Sequence, residues 1–110
     1  MELSRGDLVV AAAPGDYGKP RPALVVQSDL LNPTHASILV CLVTSELVDA
    51  PLFRIRIEPS AENGLRAPSQ VMIDKIVALR RERIGRRIGA LTATQRTQID
   101  RALAFVLGLA

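Results

Sequence analysis

Side chains that usually carry chemistry are scarce in this 110-residue chain, and one type dominates. There is one histidine, His35, and one cysteine, Cys41. A first-row metal site needs three or four ligands, so these two support none without several carboxylates. No histidine pair is present to run general acid–base catalysis, and one cysteine makes no internal disulfide. Cys41 stands between Val40 and Leu42 and reads as a buried, inert thiol. His35 reads as a turn residue. What remains is arginine: 12 of the 14 cations are Arg, and only Lys19 and Lys75 are Lys. The guanidinium fork suits bidentate contacts to phosphate and carboxylate, which points to an anionic partner. The net charge of +3 says little by itself, because many small domains carry as much. The chemistry expected of such a chain uses no metal and no cofactor.

The elements that must position these residues follow from composition and pattern. Apolar residues make up 48%, which excludes a disordered chain. Aromatics are 3% (Tyr17, Phe53 and Phe105, with no Trp), so the core must be Val, Ile, Leu and Ala. That scarcity argues against modules that stack bases on several rings. The length predicts one domain over residues 1–110. No run of about 20 apolar residues predicts a membrane span, and the charged N-terminus lacks the apolar run of a signal peptide. The chain is expected to be soluble and cytoplasmic.

Asp7–Ala12 and Ala23–Val26 are short apolar runs that read as strands. Between them, Ala13–Pro20 holds Pro14, Gly15, Gly18 and Pro20 and reads as a loop. Asn32-Pro33 marks a turn. Ala36–Thr44 is β-branched and apolar, as in a strand buried on both faces. Leu52–Glu58 alternates Phe53, Ile55 and Ile57 with Arg54, Arg56 and Glu58, the pattern of a half-buried strand. Asn63-Gly64 is a turn signal. Ser69–Leu79 is a longer extended run interrupted by Asp74-Lys75. Arg80–Arg87 packs five arginines into eight residues. Thr92 and Gln95 form a capping-box pattern. Ile99, Ala102, Leu103 and Val106 have helical spacing, and Gly108 stands where a glycine ends a helix. The prediction is a mainly β fold: a small closed or semi-closed barrel of short strands, with a C-terminal α-helix covering one opening.

Several of these stretches, taken in order, resemble one family. They are Arg5-Gly6-Asp7, Lys19-Pro20-Arg21-Pro22-Ala23-Leu24-Val25-Val26 and Leu42-Val43-Thr44-Ser45. Ser69-x-x-Met72-x-Asp74-Lys75-Ile76, Ile99–Leu103 and Leu107-Gly108-Leu109 complete the set. Together they resemble the MazF/PemK toxins of bacterial type II toxin–antitoxin systems, over about residues 5–109. The resemblance implies an SH3-like barrel of five to seven strands, related to the gyrase-inhibiting toxin CcdB, with a C-terminal helix. It implies a metal-independent, sequence-specific endoribonuclease that cuts single-stranded RNA, acts as a homodimer and is held inactive by a cognate antitoxin with an acidic C-terminal segment. It places the catalytic positions at Arg21 and Thr44. The family often carries a basic residue where this chain has Val77, so an RNA contact there is not expected.

The residues fit that chemistry. Metal-free RNA cleavage turns the ribose 2′-OH into the nucleophile, leaving a 2′,3′-cyclic phosphate and a 5′-OH. The protein must hold the strand in line and stabilise charge on the phosphorane. Arg21 suits phosphate stabilisation or acid assistance, and the Thr44 hydroxyl suits a second donor or an orienter of the 2′-OH. A guanidinium that stays protonated is a poor base, so the base is left unassigned. Tyr17 and Lys19 are substrate-binding candidates in the loop before Arg21, with Tyr17 the candidate for base stacking; Ser45 is a third, beside Thr44. Plainer readings stand next to these: Arg21 as a solvated residue leading into a strand, Thr44 as a turn former, the Tyr17–Lys19 loop as bare surface, and Ser45 as a connector. Asp74-Lys75 reads as a bulge or ion pair, or as a dimer or substrate contact. Arg80–Arg87 reads as a charged sheet edge or as a landing surface for RNA or antitoxin. An antitoxin tail would meet a groove of Arg21, Lys19, Arg86 and Arg87. Two other functions compete: a CcdB-like gyrase inhibitor acting by binding, against which the absence of Trp counts, and a non-catalytic antitoxin-binding barrel.

Overall fold

The apolar runs become strands because β-branched side chains pack well on a pleated, half-buried surface. The computed structural model describes residues 2–13 and 19–109. Among them six strands form one sheet: β1 (Asp7–Ala11), β2 (Arg21–Val25), β3 (Ser37–Thr44), β4 (Arg54–Ile57), β5 (Ser69–Arg80) and β6 (Ile84–Ala90). A 3-10 turn, Arg81–Arg83, separates β5 from β6, and the helix α1 (Ala93–Val106) follows. The strand order is β4–β5–β3–β2–β1–β6, with every pairing antiparallel. The mainly β fold with a C-terminal helix is as predicted, and six strands fall within the expected five to seven. No helix among the described residues is long and apolar enough to cross a membrane.

Alternation along the strands feeds two apolar layers. Leu8, Leu24, Cys41, Val43, Val71 and Ile73 pack with Ile99, Ala102 and Leu103 of α1. Their neighbours Val9, Ala23, Val25, Ile38, Val40 and Leu79 pack together on the other side. Successive side chains point to opposite faces, so β1 to β3 are covered on both over most of their length, as read for the β3 segment, although Leu39 of β3 is exposed. Burial of a single Leu or Ile contributes about 1.5–3 kcal/mol, and aliphatic side chains alone supply these layers. Cys41 is fully buried, and burial pushes its thiol up to about 12, which makes it inert.

The helix is set by its ends. Thr92 Oγ1 accepts from the Gln95 N–H at 3.1 Å, and Gln95 Oε1 accepts from the Thr92 N–H at 2.9 Å, a complete capping box. At the other end Gly108 takes φ +73°. There the Leu109 N–H donates to the Ala104 carbonyl at 2.7 Å and the Gly108 N–H to the Phe105 carbonyl at 3.2 Å, closing a Schellman motif.

Two strand details differ from the sequence pattern. Leu52 and Phe53 fall in a turn rather than in β4, because the Phe53 and Arg54 N–H groups both donate to the Ala50 carbonyl. β5 is also irregular. From Cys41 to Val43, β3 advances two residues, while β5 advances five from Val71 to Ile76. The excess bulges outward with Asp74 and Lys75 in it. Asp74 accepts both arms of the Arg54 fork, at 3.0 and 3.3 Å. Both plain readings of Asp74-Lys75, bulge and ion pair, therefore describe the structure.

Candidate active site

The two candidate catalytic residues come from different strands. Arg21 is the first residue of β2, opposite Ala11 of β1, and is exposed. Pro22 follows inside the strand, in the part of β2 that has only β1 beside it. Its missing N–H therefore leaves no β3 partner unsatisfied. Thr44 is the last residue of β3, opposite Gln70 of β5. The Thr44 hydroxyl oxygen accepts the Glu46 N–H at 3.0 Å. That bond uses a lone pair and leaves the hydroxyl proton available to donate elsewhere.

A cleft of about 290 Å³ brings these residues together. Arg21, Pro22, Thr44, Ser45 and Val10 line one part of it; Gly64, Leu65, Arg66, Ala67 and Ser69, with Arg86 and Ile88 of β6, line the rest. No Asp or Glu is among these described lining residues. Three arginines, Arg21, Arg66 and Arg86, thus share a concavity with no carboxylate among its described lining residues. Such a site attracts anions, and its low-dielectric walls strengthen the attraction.

Close packing builds the far wall. Asn63 is buried; its side chain accepts from the Ser60 and Leu65 N–H groups and donates to the Glu58 carbonyl at 2.8 Å. Gly64 has φ +68°, and a Cβ there would lie 2.1 Å from the Ile88 carbonyl oxygen. A Cβ on Gly89 would lie 2.4 Å from the Glu62 carbonyl oxygen, and the Ala90 N–H donates to that oxygen at 2.9 Å. Only glycine permits this approach of loop to strand. The Asn63-Gly64 turn signal is real, but the turn lies within the long 58–68 connection between β4 and β5 and clamps it onto β6, rather than making a tight two-residue hairpin. Gln70 braces the near wall. Its amide donates to the Val48 carbonyl at 2.8 Å and accepts the Val48 N–H at 3.1 Å, tying the segment after Thr44 to β5.

The other expectations divide. Ser45 lines the cleft. Lys19 is exposed just before β2, outside the lining. Tyr17 lies outside the described residues. The predicted groove of Arg21, Lys19, Arg86 and Arg87 needs correction at Arg87, which turns away and pairs with buried Asp7 at 3.0 Å. The Arg80–Arg87 run does not act as one surface: the Arg81 Nε donates to the His35 carbonyl at 2.7 Å, Arg87 holds Asp7, and Arg86 lines the cleft. Arg66 and Gln70 were not singled out by sequence reasoning. A lone Gln at the start of an apolar strand was the available signal for Gln70. Arg66 carried none, because the clamp that brings it to the cleft is a long-range contact. No group of three or more His, Cys, Asp or Glu side chains able to hold a metal occurs among the described residues.

Comparison with known proteins gives this cleft a context. The sequence pattern of the PemK-like, MazF-like toxins of type II toxin-antitoxin systems matches residues 4–107. A probable endoribonuclease MazF of Mycolicibacterium smegmatis is 46% identical over 109 residues, 98% of this chain and 99% of that protein. Endoribonuclease MazF6 of Mycobacterium tuberculosis is 32% identical over 118 aligned positions, covering 99% of this chain and 100% of that one. An endoribonuclease of a mycobacterial species, solved in complex with its cognate antitoxin, superposes with a TM-score of 0.83 at 25% identity, covering 98% of this chain and 97% of that one. Its strand order, its C-terminal helix and a full-length sequence match together place this chain in the PemK-like, MazF-like family of type II toxin–antitoxin toxins, as a homologue of the MazF endoribonucleases.

Proposed function

We propose that this chain cleaves single-stranded RNA at a specific short motif, without a metal ion, in the cleft of Arg21 and Thr44. The observation that carries the reading is the convergence of a guanidinium from the start of β2 and a hydroxyl from the end of β3 in a cleft whose described lining has no carboxylate. The 2′-hydroxyl gives up its proton as its oxygen attacks the phosphorus, the bond from phosphorus to the 5′-oxygen breaks, and the leaving oxygen gains a proton, so none is consumed overall. The products are a 2′,3′-cyclic phosphate and a 5′-OH. Arg21 offers two forked donors to the phosphoryl oxygens. Thr44 adds a third donor, because Glu46 already occupies one lone pair of its oxygen. Donors fixed in advance stabilise a developing phosphorane more than water does. Ser45 and Lys19 contact the flanking strand, and Tyr17 stacks a base.

The same reading extends to partners. A cognate antitoxin covers the cleft with an acidic segment whose carboxylates meet the arginine forks in place of phosphates. That a mycobacterial relative was solved in complex with its cognate antitoxin supports an antitoxin as the partner. The toxin acts as a homodimer in the cytoplasm. The test is digestion of a long RNA in EDTA by the parent protein and by Arg21→Ala and Thr44→Ala. Each substitution is expected to lower the rate about 100- to 1,000-fold, the usual consequence of removing one transition-state donor, with melting temperature retained. Parent-like cutting by both variants would place the chemistry elsewhere.

A further inference from the structure

A bulge in β6 gives the cleft a second cationic feature. From Val9 to Ala11, β1 advances two residues, while β6 advances three from Ile84 to Arg87. The extra residue lies at Gly85-Arg86. Bulges break the strict alternation of a strand and re-aim a side chain. Here the extra residue shifts the phase of β6: Ile84 pairs with Ala11 and Arg87, three residues on, pairs with Val9 on the same face, which leaves Arg86 and Ile88 to line the cleft. The backbone at the bulge lies close to β1, since a Cβ on Gly85 would make a tight 3.2 Å contact with the Val10 carbonyl oxygen. Arg66 reaches the same cleft from the loop that Gly64 and Gly89 clamp onto β6. Both side chains are exposed, and neither makes a hydrogen bond or ion pair with another described residue. By contrast Arg5, Arg54, Arg56 and Arg87 each hold a carboxylate. Two guanidinium groups are thus delivered to one concavity by two independent pieces of close packing and are given nothing within the described chain to bind.

We infer that Arg66 and Arg86 form a phosphate-binding subsite that holds the RNA backbone beside the scissile phosphate and so fixes where the strand lies across Arg21 and Thr44. This rests on the endoribonuclease reading. A strand whose scissile phosphate sits at Arg21 and Thr44 carries further phosphates along the same cleft, where these two forks stand. The two residues are positioning residues: they bind phosphates that do not react, so their loss weakens binding and leaves the chemical step intact.

The probe is a single-stranded RNA oligonucleotide spanning a mapped cut site, with a 2′-deoxyribose at the cut so that it binds without being cleaved. Its affinity is measured against salt for the parent, Arg66→Gln, Arg86→Gln and the double variant, with Arg56→Gln as a surface control. Each phosphate contact on a single strand contributes about 0.7 to the slope of log affinity against log salt. Each single variant should reduce the slope by about 0.7, the double variant by about 1.4, and the control by nothing. With the cleavable RNA, KM should rise and kcat should hold. Unchanged slopes in a parent that cuts RNA would overturn the subsite and leave the proposed activity standing. A fall in kcat with KM unchanged would overturn the positioning role. Unchanged RNA slopes with weakened binding of a poly-glutamate peptide would overturn it in favour of a protein partner. A parent that neither cuts nor binds RNA would remove the endoribonuclease reading, and the subsite with it.

Discussion

Two concavities of similar size lie on this sheet, and both are lined by arginines. One, about 290 Å³, holds Arg21, Arg66 and Arg86 with Thr44. The other, about 360 Å³, lies at the β4 edge and holds Arg54, Arg56 and Asp49 beside Gln70. At the β4 edge each guanidinium is engaged within the chain: Arg54 forks onto Asp74, and Arg56 donates to Glu58 at 2.6 Å. In the other cleft Arg66 and Arg86 have no such partner among the described residues. Arginine content alone therefore does not set the proposed phosphate site apart from the β4 edge. What marks it is whether the fold supplies the counter-charge or leaves that to a ligand.

The sharpest way to break this comparison is to remove one arginine from each cleft. Arg21→Ala should lower RNA cleavage about 100- to 1,000-fold, while Arg54→Ala should leave the rate within about twofold; initial rates on one RNA decide it. Equal losses would mean that both clefts serve the reaction. Next in size is the wall that presents Arg66. Gly64→Ala forces a left-handed backbone on alanine, about 1–2 kcal/mol, and drives a Cβ into the Ile88 carbonyl. Calorimetry should show a melting temperature lower by roughly 5–15 °C, since 1 kcal/mol shifts a domain near this size by about 4–8 °C.

The neighbouring arginines of β6 sharpen the contrast. Arg87→Ala strips a partner from the buried Asp7 carboxylate, which among the described residues keeps the Ser4 N–H at 2.9 Å. It should cost about 1–3 kcal/mol in urea unfolding without changing the salt dependence of RNA binding. Arg86→Gln should do the reverse. The smallest effect belongs to Asp74, whose carboxyl the Arg54 hydrogen bonds hold below its ordinary 3.8. A depressed acid contributes stability above its unfolded value and loses it as pH falls through the folded one. The parent should therefore exceed Asp74→Asn by under about 1 kcal/mol near pH 6. That margin should shrink below pH 3.8, as read from denaturation at several pH values.

These contrasts also show what was legible before the fold was known. The Thr92–Gln95 cap, the Ile99–Val106 spacing and Gly108 are local signals, and the helix follows them residue by residue. The β3 segment was legible because a continuous β-branched run has little alternative to burial on both faces. Arg21 and Thr44 were legible through the order of the surrounding motifs, since each alone reads as an ordinary surface residue. The loop clamp was not legible: Asn63-Gly64 announces a turn, but its contact with Ile88 and Gly89 joins residues far apart in sequence. Nor was it legible which of Arg86 and Arg87 faces the cleft, since a bulge in the pairing of β6 with β1 sets the phase. Local chemistry could be read along the chain, whereas the composition of the cleft is a property of register.

The central claim is that the Arg21–Thr44 cleft cleaves RNA through its own 2′-hydroxyl. The most direct measurement is the chemistry of the ends left when the purified protein digests a long RNA in excess EDTA. Attack by the 2′-hydroxyl should leave 5′-OH termini and 2′,3′-cyclic phosphates at a recurring short motif, absent with Arg21→Ala. Cleavage that EDTA abolishes, or 5′-phosphate ends with a free 3′-OH, would contradict it.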